Sequence, residues 1–156
     1  MSSHPPKWIP RFTAVVALIL LLGAVGKTDA LIAGAGFVSR QDPVFHVPKQ
    51  WVFLCVVPLE MVAAAYLVFS GSLERRLALC TAGGMLFLCY RTVAAFVSPF
   101  IPCDCFGSIL SRLGLSAAMA DDIASVAVVA VCGVSTLAWV LWKWPGGDEI
   151  AAARRA

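Results

Sequence analysis

The sequence predicts an all-α integral membrane protein, a four-transmembrane-helix bundle with both termini cytoplasmic. Three observations predict it. Of the 156 residues, 60% are hydrophobic and 13% charged, about half the charged share of an ordinary soluble domain. The apolar residues fall in four runs, each near the ~20 residues that cross a hydrocarbon core. Prolines, glycines and charges separate the runs. The net charge of +3 is thinly spread. No basic patch is interleaved with polar surface, so nucleic acid is excluded as a partner and the lipid bilayer is the first partner implied.

Residues 1–11 read as a polar, proline-broken cytoplasmic tail with Lys7 and Arg11. The first span is read over 12–38, one helix with a charged step at Lys27 and Asp29. A secretory signal peptide over the same segment is the competing reading; Asp29 fits its cleavage position badly, and apolar sequence continues beyond. Residues 39–50 form a loop with Arg40, Asp42, two prolines, His46 and Lys49. Trp51, suited to headgroup depth, opens the second span, 51–70, which contains Pro58 and Glu60. A tight basic turn covers 71–76. The third span, 77–97, holds Cys80, Cys89, Tyr90 and Arg91, and the prolines at 99 and 102 end it. The outer loop is 98–122, with a short amphipathic turn around 109–115. Asp121 and Asp122 suit the first turn of the fourth span, 123–142. Trp139, Trp142 and Trp144 with Lys143 make an interfacial belt, and 143–156 is a cytoplasmic tail.

Basic residues set the orientation. Lys7, Arg11, Arg75, Arg76, Lys143, Arg154 and Arg155 share one side of a four-span protein; Arg40, Lys49 and Arg112 lie on the other. The positive-inside rule places the first set in the cytoplasm and the 98–122 loop outside the cytoplasmic (inner) membrane, where disulfides form and persist.

Six cysteines are present. Cys55, Cys80, Cys89 and Cys132 sit in apolar runs, where a thiol packs as a small hydrophobe. A second redox pair from Cys89 and Cys132, at similar depth, is the less favoured reading. Cys103 and Cys105 lie in the outer loop, within Cys103-Asp104-Cys105-Phe106-Gly107. A bridge between residues two apart strains the preferred disulfide geometry, and strained exposed disulfides exchange readily. Asp104 sets a negative charge between the sulfurs, which opposes thiolate formation. Gly107 permits close approach of a partner backbone. Free thiols or half of a metal site are the plainer readings of the pair. The metal reading is weak, because His46 is the only further ligand in reach, and none is expected.

Lys27, Asp29, Glu60 and Arg91 interrupt apolar runs at about 10–16 Å from the outer helix ends at 1.5 Å per residue. Each costs at least ~2.5 kcal/mol in isolation at a helix centre. Two cations and two anions at similar depth predict a buried cluster with Glu60 facing Lys27 or Arg91. Such a cluster either fixes helix packing or marks a functional pocket. Pro58, two residues before Glu60, is expected to kink the helix and open that pocket. Gly83, Gly84 and the 33–36 stretch are read as close helix–helix contacts. Tyr90, Phe87 and Phe96 are read as packing.

A lysine late in span one, Pro58-Leu59-Glu60 in span two and Cys-x-Cys-Phe-Gly after span three resemble the MauE/DoxX-like family of redox-associated membrane proteins, over residues 10–142. The family motif commonly has a small residue, often glycine, where this chain has Asp104. The resemblance implies thiol–disulfide exchange on the outer membrane face. Cys103 and Cys105 would be the redox pair, with Lys27, Glu60 and Arg91 as the supporting polar core. It also implies a role in maturing a secreted client such as the small (β) subunit of methylamine dehydrogenase. The partners implied are a periplasmic or secreted client protein or a thiol oxidoreductase. By analogy of function with disulfide-generating membrane oxidases, a quinone near Glu60 and Arg91 would accept the electrons. Two other classes stay open: a non-catalytic assembly factor for a periplasmic enzyme, and a small-solute transporter using the intramembrane charges.

Overall fold

In the computed structural model the described residues are 8–36, 38–98 and 113–143. They form four helices: α1 (Trp8–Ile32), α2 (Lys49–Phe69), α3 (Leu73–Val97) and α4 (Ala117–Lys143). All four are long and apolar enough to cross a membrane. Among the described residues there is no strand, only an isolated bridge between Gln41 and Pro48.

The helix ends differ from the sequence reading, and each difference has a local cause. The first helix stops at Ile32, not near residue 38. Gly34 takes a positive φ of 61°. Ala35 N–H bonds the Ala30 carbonyl at 3.1 Å and Gly34 N–H the Leu31 carbonyl at 3.4 Å. That is a Schellman ending with glycine at C′. Residues 33–36 are therefore a helix stop, and of them Ala35 packs against the Ala30, Val38 and Phe53 cluster while the glycines make no close contact. A Cβ on Gly34 or Gly36 would meet nothing within 4 Å. The third helix starts at Leu73, so the turn shrinks to 70–72 and Glu74 falls in the helix's first turn, facing the positive end of the dipole. Arg76 folds back and donates to the carbonyls of Ser70, the C-cap of α2, and, at 3.2 Å, Val68 in its last turn. The fourth helix begins six residues before the expected Ile123. Ser116 Oγ accepts the Met119 N–H at 3.3 Å, an N-cap. Asp121 consequently lies past the first turn. α2 runs on through Pro58, which is exposed and outside the groove described below. The amphipathic turn expected at 109–115 lies mostly outside the described residues.

Packing is inverted relative to a soluble protein. Buried positions are mostly small: Ala17, Ala24, Ala30, Ala64, Ala124 and Ala138. Large apolar side chains, among them Leu18, Leu59, Val62, Leu86 and Phe96, are exposed. Small residues let helix backbones approach, and lipid covers the large ones. In water such surfaces would far exceed the few hundred Å² of apolar patch usual for a monomer. Several hydroxyls bond within their own helices: Thr28 donates to the Ala24 carbonyl at 2.8 Å, Ser125 to that of Asp121 at 2.8 Å and Ser135 to that of Val131 at 2.6 Å, whereas the buried Thr81 Oγ1 makes no hydrogen bond among the described residues. Backbone and hydroxyl groups need such internal partners where water is absent. These features make the chain a multi-pass membrane protein.

The helices associate chiefly as two antiparallel pairs, α1 with α2 and α3 with α4. The pairs meet toward the Trp8 end of α1. There Ile9, Leu77 and Ala138 form one cluster, and Val16, Ala17, Ala64, Leu67 and Cys80 another. Within the second pair Gly84 lies against Cys132. A Cβ on Gly84 would sit 3.1 Å from the Cys132 Cα. Cys132 Sγ also lies 3.2 Å from Met85 Sδ. Cys132 is thus a packing residue, and Cys89 is exposed.

The two neighbouring glycines should therefore behave in opposite ways. Gly84→Leu is expected to cost about 1–3 kcal/mol through overpacking. Gly83→Leu, whose Cβ meets nothing within 4 Å, should cost far less. Thermal unfolding in detergent compares them. Equal loss at both sites would refute this account of the α3–α4 contact.

Candidate functional site

Glu60 sits on α2 and Lys27 on α1. Lys27 Nζ donates to Glu60 Oε1 at 2.8 Å and to Oε2 at 3.0 Å. Both residues are buried, at 3% and 6% exposure. Gly23, one turn before Lys27, makes the room. A Cβ there would lie 3.3 Å from Nζ and 3.5 Å from Oε2. The sequence thus builds the pair from three positions on two helices. The small residues Ala24 and Ala30 on α1 and Ala64 on α2 are also buried, consistent with close approach of the two backbones. In this setting a two-contact pair offsets much of the cost of burying either charge.

The expected four-charge cluster divides. Glu60 bonds Lys27, while Arg91 Nη2 bonds Asp121 Oδ1 of α4 at 2.8 Å. The cause is register. Arg91 lies six residues before the Val97 end of α3 and Asp121 four residues after the Ala117 start of α4, so the packed helices bring the two side by side. Asp29 is half-buried, two residues from Lys27. Two residues rotate a helix by about 200°, so Asp29 leaves α1 on the side away from Lys27.

A third polar contact was not foreseen. Asp42 is 2% exposed. Its Oδ1 accepts the N–H groups of Val44 and Phe45 at 2.9 and 3.0 Å, and its Oδ2 accepts the Tyr90 hydroxyl at 2.6 Å. The Phe45 ring stacks on Tyr90 with centroids 6.0 Å apart. The 33–48 connection is thereby tied to α3, and Tyr90 is more than packing. Asp42-Pro43 carries a turn signature, but nothing in sequence indicates that its second oxygen reaches another helix. His46 takes a positive φ of 57° in this turn.

Between the helix pairs lies a half-open groove of about 840 Å³, lined by all four helices and almost wholly apolar. Glu60 and Arg75 are its charged lining residues among those described; Arg91 does not line it. No group of three His, Cys, Asp or Glu side chains that could hold a metal occurs among the described residues. Cys103, Asp104, Cys105, Phe106 and Gly107 lie outside the described residues. The helices that flank them are described: the 98–116 connection leaves α3 just beyond Arg91 and enters α4 just before Asp121, the two residues joined by the ion pair.

Comparison with protein-family models, curated proteins and solved structures gives no match. Architecture and site chemistry therefore carry the functional reading.

Removing one member of the buried pair should be far worse than removing both. Lys27→Met and Glu60→Gln are each expected to cost about 3–5 kcal/mol, because an unpaired charge or polar group stays buried. The double replacement Lys27→Met/Glu60→Met should recover most of that loss. Unfolding titrations in mixed micelles measure it. Single variants within ~1 kcal/mol of the parent would show that the pair is not holding α1 to α2.

Proposed function

We propose that this chain supports thiol–disulfide exchange on the outer face of the cytoplasmic membrane, with Cys103 and Cys105 as the redox pair, in the manner of MauE/DoxX-like proteins. The observation that carries the reading is the attachment of the dithiol loop. It joins two helices that pack on each other and are bonded through Arg91 and Asp121 near its base. Such a base fixes the two points between which the cysteine-bearing connection runs. The basic-residue count supports the outward orientation.

In the exchange, a client thiolate attacks the Cys103–Cys105 disulfide and forms a mixed disulfide with one sulfur. The second client thiolate then attacks that bond and leaves the client oxidised and the pair reduced. Two electrons and two protons pass from client to pair. An oxidised thiol oxidoreductase restores the pair by the reverse exchange. The client is a secreted protein, with the small subunit of methylamine dehydrogenase as the family-derived example. A quinone shared by Glu60 and Arg91 does not fit this geometry, since Glu60 lines the groove and Arg91 is bonded to Asp121. No step is assigned to one.

Thiol trapping in intact cells with a membrane-impermeant reagent tests the proposal. Cys103 and Cys105 should label only after reduction, and replacing both by serine should abolish oxidation of the client. A pair that is reduced and shielded from the reagent would remove both the orientation and the redox role. Unchanged client oxidation in the double variant would favour an assembly factor.

A further inference from the structure

The groove between the helix pairs is not used by the exchange just described. On α3 its wall runs from Arg75 to Phe87, twelve residues or about 18 Å at 1.5 Å per residue. One leaflet's share of a ~30 Å hydrocarbon core is about 15 Å. The groove is therefore about one leaflet deep, starts at the level of the 70–72 turn and is open along its side. Its lining is largely aliphatic, with Val16, Leu20, Leu59 and Leu79 among its walls beside Tyr66 and Phe87. The charges are unevenly disposed. Glu60, partway along, is compensated by Lys27. Arg75 lies at the end by the turn, is exposed, and is in no ion pair found among the described residues. Its neighbour Arg76 is committed to the carbonyls of Ser70 and Val68.

We propose that this groove holds one acyl chain of an anionic phospholipid, with the phosphate on Arg75. The apolar wall takes the chain and the guanidinium takes the phosphate, a fixed fork suited to phosphate oxygens. Basic residues beside a gap between membrane helices recognise anionic headgroups in this way. Gly23 and Glu60 line the groove, so the Glu60 side of the ion pair borders it. A seated chain covers that border and keeps water from the pair. The lipid is thus a structural ligand that joins the two helix pairs where their side chains do not meet. A neutral chain-bearing molecule would use the same walls but leave Arg75 without a counter-charge.

Native mass spectrometry of the delipidated protein tests this, with phosphatidylglycerol and phosphatidylcholine of identical chains as probes. One phosphatidylglycerol should be retained roughly fivefold better than phosphatidylcholine, the preference expected of one basic residue at an anionic surface. Arg75→Gln should abolish the preference but still bind either lipid weakly. Gly83→Leu, which projects into the groove from α3, and Ala63→Leu, which does so from α2, should each remove the retained lipid. A thermal melt identifies whichever filling variant is folded. Equal retention of the two lipids by the parent would overturn the proposal. So would an undiminished preference in Arg75→Gln, or full retention in a folded filling variant. A neutral isoprenoid recovered at one per chain in place of lipid would overturn it as well.

Discussion

The Lys27–Glu60 ion pair is the contact on which the first half of the molecule depends. Inside a bilayer neither charge has water to turn to, so each fixes the other. A lysine ammonium touching both carboxylate oxygens, at 2.8 and 3.0 Å, sets the rotation and the axial register of α1 against α2. The surrounding positions comply. Gly23 yields its side-chain volume to the pair, and Ala17, Ala24, Ala30 and Ala64 are small and buried. Apolar packing alone would not discriminate so sharply among registers, because lipid tails are as apolar as leucine.

The second half uses a different device. Gly84 seats against Cys132, and Arg91 bonds Asp121 nearer the Val97 end of α3. The halves then meet through apolar clusters at one end and through Asp42 and Tyr90 at the other. Between these two points the pairs part, and the groove is what remains. A protein built as two locked pairs joined at their ends has an internal space that belongs to neither pair. The connection that carries Cys103 and Cys105 joins the two helices of only one of them, α3 and α4.

Much of this was legible in the residues and some was not. Hydropathy revealed four spans, and the rarity of charge within them singled out Lys27, Asp29, Glu60 and Arg91. The partnership of Glu60 with a cation followed from cost alone. Which cation did not, because depth along a helix says little about angle around it. Asp29 is the instructive case: its depth matched, but the ~200° turn from Lys27 sends it elsewhere. Helix ends were misjudged wherever a cap outweighed hydropathy. Gly34 stopped α1 inside an apolar run, and Ser116 started α4 before its apolar run began. Both signals were present in sequence, since glycine and serine at those places are ordinary cap residues.

The sequence by itself determined that the chain is helical and membrane-spanning. It also determined that four charges inside the spans need partners, and that one loop carries a closely spaced dithiol. Composition and period suffice for such statements, because the bilayer penalises exposed polar groups wherever they lie along the chain. Only the tertiary structure decided that Lys27 takes Glu60 while Arg91 takes Asp121. It alone revealed that Asp42 reaches Tyr90, and that a groove with Arg75 at its end separates the helix pairs. Those outcomes depend on helix rotation and on contacts between residues 30 to 48 positions apart. A period read along one helix contains neither.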